Sequence, residues 1–147
     1  MREHNLALVL RHVAASPRPV SRAWIAGATG LTRATVSALV DDLLGGRLLT
    51  EVEPAPRAGA GRPANGLTLA VDGPAGLGLE VNVDYLAACV VDLSGDVRQR
   101  LVRPGDQRPR TPDEVFADLA GLAAKARDGA AAEGLRLAGL AVAVPGL

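Results

Sequence analysis

At 147 residues, 48% hydrophobic and 22% charged, the chain has room for one domain or two small ones and lacks the composition of a disordered segment. Its formal charge is zero, yet residues 1 to 65 carry eight arginines against five acids, a net of +3, and the remainder carries the balancing −3. One cysteine, Cys89, excludes an intrachain disulfide or a cysteine zinc site, and no apolar run approaches the ~20 residues of a membrane helix, so a cytoplasmic protein away from membranes is expected.

The first stripe, Leu6, Val9, Leu10 and Val13, has helical spacing and ends at Ser16-Pro17. His4 and His12 have no partner pattern and read as surface residues. Ser21 is placed to cap a second helix whose inner face would carry Trp24, Ile25 and Ala28, with small Ala26 where two helices cross. Gly30 then allows the positive φ of a sharp helix exit, and Thr32 caps a third helix. In that helix Val36, Leu39, Val40 and Leu43 form one apolar stripe, which leaves Arg33, Ala34, Thr35, Ser37 and Ala38 off it. Two short helices about a tight turn outline a helix-turn-helix. An ordinary helical hairpin in a core has the same periodicity and stays open as a reading.

Arginine donates bidentately to guanine, serine and threonine hydroxyls reach phosphates or bases, and alanine meets a thymine methyl. Arg33, Thr35 and Ser37 are therefore the candidate groove contacts, with Thr32 and Arg22 on phosphates. Asp41 and Asp42 would repel phosphate and are expected to point away. Gly45-Gly46 stops the helix, and β-prone runs at Leu48–Val52 and Leu67–Val71 flank a stretch rich in Gly, Pro and Ala. That stretch reads as a wing bearing Arg57 and Arg62, with Gly61-Arg62-Pro63 suited to a narrow minor groove. A solvated loop with an incidental arginine is its plainer alternative.

The second half changes grammar. Strands are predicted at Leu77–Val83, Leu86–Leu93 and Val97–Val102, the last after a Ser94-Gly95-Asp96 turn, giving an antiparallel meander. Cys89 lies in the apolar run of the middle strand and is read as buried. Thr111-Pro112-Asp113-Glu114 is a capping box with proline at the first helical position, opening a helix that buries Val115, Phe116, Leu119, Leu122, Ala123 and Ala126. A final strand, Leu137 to Val144, runs parallel into Pro145-Gly146. The fold class is thus α+β: a winged helix-turn-helix over residues 1–71, then, over 75–147, a βββαβ unit like the first part of a ribonuclease-H or actin-like domain.

This order, with Ser21 to Leu49 followed by Thr50-Glu51, the Gly61-Arg62-Pro63 wing and Ala141-Val142-Ala143-Val144-Pro145-Gly146, resembles the ROK family, which groups transcriptional repressors with sugar kinases. Kinase members carry an Asp-x-Gly-Gly-Thr phosphate loop where this chain has Glu80-Val81-Asn82-Val83-Asp84. Without those glycines the backbone cannot approach a phosphate closely, and Asp84 puts an anion in its place. The resemblance therefore implies the regulator branch: a carbohydrate-responsive repressor, not an enzyme, that binds a double-stranded DNA operator as a homodimer without a cofactor. Family members continue past this stretch through a sugar site, so the chain reads as an N-terminal piece and a sugar effector belongs to a full-length relative only. A degenerate sugar-kinase fragment, with Glu80 and Asp84 as its acids, and an inert remnant are the competing readings.

Overall fold

The computed structural model describes residues 1–53 and 65–145, and Arg57, Arg62 and the Gly61-Arg62-Pro63 tripeptide lie outside them. The chain divides into two compact units, Met1–Ala70 and Val71–Leu147.

The first unit holds α1 (Arg2–Ala14), α2 (Arg22–Thr29), α3 (Arg33–Gly45), β1 (Leu49–Val52) and β2 (Gly66–Leu69). Strands β1 and β2 pair antiparallel from Leu49 opposite Leu69 to Val52 opposite Gly66. Val20 adds a bridge to Leu67 on the far side of β2, closed by reciprocal backbone hydrogen bonds of 3.0 and 2.7 Å. One core joins them: Val9 and Val13 from α1, Ile25 from α2, Val36, Leu39, Val40 and Leu43 from α3, and Leu49 and Leu67 from the hairpin. Ile25, Val36, Val40 and Leu67 are among its fully buried side chains, each contributing about 1.5–3 kcal/mol on removal from water.

Two residues assigned to the inner face of α2 lie outside. Trp24 is 48% exposed and meets the His12 ring edge-on, centroids 6.2 Å apart, while Ala28 is exposed. A helix of eight residues offers the core little more than one row, and Ile25 and Ala26 occupy it. Trp24 is one residue, about 100° around the helix, from Ile25.

The second unit holds β3 (Pro74–Val81), β4 (Tyr85–Asp92), β5 (Val97–Pro104), α4 (Pro112–Ala132) and β6 (Arg136–Ala143). Its sheet has the order β5-β4-β3-β6, mixed because β6 runs parallel to β3 while the other pairs are antiparallel. Helix α4 covers one face, packing Val115, Leu119, Leu122, Ala126 and Ala130 on Ala75, Leu77, Leu79, Leu86, Ala88 and Val90. Thr111 caps α4 by the full reciprocal box with Glu114. Phe116, expected inside, is 54% exposed, because the 115-119-122-126-130 row that meets the sheet leaves it at the rim. Cys89, expected buried, is half-buried and lies on the sheet face away from α4, between Gly78 and Arg100 in register. On edge strand β6, Leu140 and Val142 stay exposed.

A buried carboxylate ties the β4–β5 turn. Asp92 Oδ1 accepts from the Ser94 and Asp96 amides at 2.9 and 3.1 Å, and Arg98 Nη1 approaches Oδ2 at 3.4 Å. Burial pushes the Asp92 carboxyl up, but the hydrogen bonds from Ser94, Asp96 and Arg98 outweigh it and leave the group below its ordinary value. The same arginine reaches Glu133 past the end of α4 at 3.1 Å and the carbonyl of Val71.

Candidate nucleic-acid interface

The geometry of the first unit begins with its caps. Ser21 Oγ accepts the Trp24 amide at 3.2 Å, which satisfies an orphan donor at the start of α2. Gly30 closes α2 in the left-handed region at φ 71°, its amide bonded to the Ala26 carbonyl at 3.0 Å. Two residues later Thr32 Oγ1 accepts the Thr35 amide at 3.2 Å and starts α3. The turn is therefore short and closed at both ends.

This arrangement fixes which residues of α3 face outward. Val36, Leu39, Val40 and Leu43 are all buried, and Arg33, Ala34 and Ala38 are exposed beside half-buried Thr35 and Ser37. Arg33 has no hydrogen-bond or ion-pair partner among the described residues, so its guanidinium is available. Thr32 and Thr35 share a hydroxyl contact of 2.9 Å, which orients both at the N-terminus of α3.

Arg22 sits differently from a free phosphate ligand. Its Nη2 reaches Asp41 Oδ1 at 3.0 Å and its Nη1 reaches Glu51 Oε1 at 2.7 Å. Asp41 was expected to point away; it is exposed, and it follows Arg33 and Ser37 in one i, i+4 row of α3. The Arg22 charge offsets part of what Asp41 would otherwise present beside that row. Asp42 is held by Arg2 from the start of α1. Sequence reasoning missed Glu51 and Asn65 as members of this cluster, and the partners, 14 to 29 residues apart, leave no local signal.

The end of β3 bears on the kinase alternative. The Asn82 amide donates to the Tyr85 carbonyl at 2.9 Å and the Asp84 amide to Asn82 Oδ1 at 3.4 Å, so both amides are spent within the β3–β4 turn. A phosphate cradle needs such amides free. Glu80 Oε1 accepts the Tyr85 hydroxyl at 2.8 Å, which pushes the phenol up, and Asp84 is surface-exposed on Arg108 at 3.2 Å. The two acids are thus each engaged by a different partner. Among the described residues no group of three or more metal-ligating side chains occurs, and no helix is long and apolar enough to cross a membrane.

No family model matches the chain. It is 33% identical over 95 residues to the xylose repressor of Bacillus spizizenii and 32% identical over 95 residues to that of Bacillus subtilis. Each match takes in 63% of this chain and 24% of the repressor, so the chain spans only about a quarter of the relatives it matches. In fold it is similar to the crystal structure of a ROK family transcriptional regulator described as a homologue of the E. coli MLC protein. That likeness has a TM-score of 0.71 at 23% identity and covers 99% of this chain and 36% of the other. Over the stretch that it shares with them, the chain is thus similar in sequence to xylose repressors and in fold to a ROK family transcriptional regulator.

Proposed function

We propose that residues 1–70 form a winged helix-turn-helix that reads a double-stranded DNA operator with α3 in the major groove, and that the second unit is the first part of a ribonuclease-H or actin-like ROK domain. The observation that carries the reading is the outward row of α3: Arg33 is exposed and unpaired among the described residues, beside Thr35 and Ser37, on a helix fixed by a capped turn. Arg33 is the base-reading residue, Thr35 and Ser37 support it, and Thr32 contacts a phosphate at the helix start. Arg22 meets the backbone from within its ion-pair cluster. Arg57 and Arg62, which lie between β1 and β2 in the sequence, supply flanking contacts.

A net charge of +3 in the first 65 residues is small for binding at physiological salt, which favours a homodimer on a palindromic site. Repression in the cytoplasm in response to a sugar is the biological setting that the repressor likeness supports. The chain in this reading carries no catalysis and takes no cofactor. The test is a gel shift on a duplex selected from a random pool. Arg33→Ala is expected to weaken specific binding by about 1–3 kcal/mol, and Arg62→Ala to lower the salt slope by about 1. Unchanged operator affinity in both variants would reject these assignments.

A further inference from the structure

One side chain joins both strands of the β1–β2 pair to the helix pair. Glu51, the third residue of β1, accepts Arg22 Nη1 on Oε1 at 2.7 Å and Asn65 Nδ2 on Oε2 at 2.8 Å. Asn65 immediately precedes β2, and Arg22 is the first residue of α2, with its other nitrogen on Asp41 of α3 at 3.0 Å. Three elements therefore meet at one carboxylate: the start of α2, the third turn of α3 through Arg22, and the hairpin where its strands part. The bonds from Asn65 and Arg22 hold the Glu51 carboxyl below the ordinary carboxylate value, which keeps it ionised and paired at neutral pH.

Steric contact fixes the same place from the other side. A Cβ built on Gly66 would fall 2.6 Å from Pro19 Cβ and 3.2 Å from Val52 Cγ2, so the first residue of β2 lies directly against Pro19. The neighbouring Val20–Leu67 bridge holds Pro19 there. The strand ends are thus bonded to α2 by Glu51 on one side and seated on the α1–α2 connection on the other.

We propose that Glu51 is a positioning residue for DNA reading, setting the angle of the β1–β2 strand pair relative to the outward row of α3 without itself touching DNA. A carboxylate approaching phosphates would be repelled, and both oxygens of this one are already taken. Its effect passes through Arg22 and Asn65. The inference rests on the DNA-binding reading, and the experiment separates the two.

The chain and its Glu51→Ala and Glu51→Gln variants would be footprinted on a selected duplex, by guanine methylation for the major groove and hydroxyl radicals for the flanking minor groove, with melting midpoints measured in parallel. Glu51→Ala is expected to lose the flanking protection and about three- to tenfold in affinity while keeping the major-groove pattern and nearly its midpoint. Glu51→Gln, which still accepts Arg22, recovers part of the flanking protection. Should Glu51→Ala not fold, Asn65→Ala, which removes one of the two bonds, is expected to show the same selective loss. Parallel loss in both grooves, or an intact flanking footprint, overturns the positioning role. A wild-type chain that enriches no duplex overturns the DNA reading itself.

Discussion

Replacing Gly66 by alanine should destabilise the first unit, although the same substitution in a strand ordinarily stabilises. Glycine costs a strand or helix roughly 0.5–1 kcal/mol relative to alanine through chain entropy, so with free space the change would raise the melting point. Here the added methyl would stand 2.6 Å from Pro19 Cβ, well inside contact distance, and 3.2 Å from Val52 Cγ2. Pro19 cannot rotate away, because its ring is rigid and the next residue is bonded to Leu67 in both directions. Overpacking against a fixed backbone costs about 1–3 kcal/mol, which for a unit of this size is roughly 4–20 °C in melting temperature. The assay is thermal unfolding followed by circular dichroism. Gly121→Ala is the control, since Gly121 lies mid-way along α4 with nothing within 4 Å of its would-be Cβ; it should raise the stability of the second unit by about 0.5–1 kcal/mol. A Gly66→Ala chain melting at or above the wild-type temperature would refute the seating of β2 on Pro19.

Thr111→Ala removes the side-chain half of the capping box on α4, leaving the residue-111 amide still able to donate to Glu114, and should cost the second unit about 1 kcal/mol, read from its urea midpoint. Thr32→Ala should cost a similar amount in the first unit and also weaken DNA binding, whereas Arg33→Ala should weaken binding with no change in melting. The second unit should be acid-labile. Asp92 has a lowered carboxyl in the fold despite its burial, because hydrogen bonds outweigh it; Thr111 lowers Glu114 and Arg110 lowers Asp118. A folded value below the unfolded one adds stability above the ordinary carboxylate range, and that stability is lost as pH falls through the folded values. Denaturant midpoints should therefore be level near neutrality and fall below about pH 4, with a shallower fall in Asp92→Asn; a pH-independent midpoint would contradict the Asp92 environment.

Local signals in the sequence are recovered where the physics is local. Ser21, Thr32 and Thr111 all cap through side-chain oxygens, Gly30 takes positive φ, and Val36, Leu39, Val40 and Leu43 are all buried. Each of these depends on residues within one or two turns. Trp24 and Phe116 went astray because large apolar side chains were assigned inward by hydrophobicity, while the row that meets the neighbouring element decides. The start of β3 was read at Leu77 and lies at Pro74, since Pro74, Ala75 and Gly76 have little strand propensity. Pairing recruits them: Pro74 lies opposite Arg136 of β6, and Ala75 opposite Asp92 of β4.

The candidate interface divides in the same way. That Arg33, Thr35 and Ser37 lie off the buried stripe of α3 was legible, because they are what remains once its apolar residues are removed. The setting of Arg22 between Asp41 and Glu51 was not, for it joins residues 19 and 29 positions apart whose types are ordinary surface ones. Only the antiparallel closing of β1 on β2 brings Asn65 and Glu51 within hydrogen-bond reach.

The central claim, that the first unit reads DNA sequence through α3, is tested most directly by selecting duplexes from a random pool with the wild-type and Arg33→Ala chains. The wild type is expected to enrich one recurrent motif at moderate salt, and Arg33→Ala to relax it at a guanine-containing position. Enrichment of no motif, or of the same motif unchanged by Arg33→Ala, would contradict the claim.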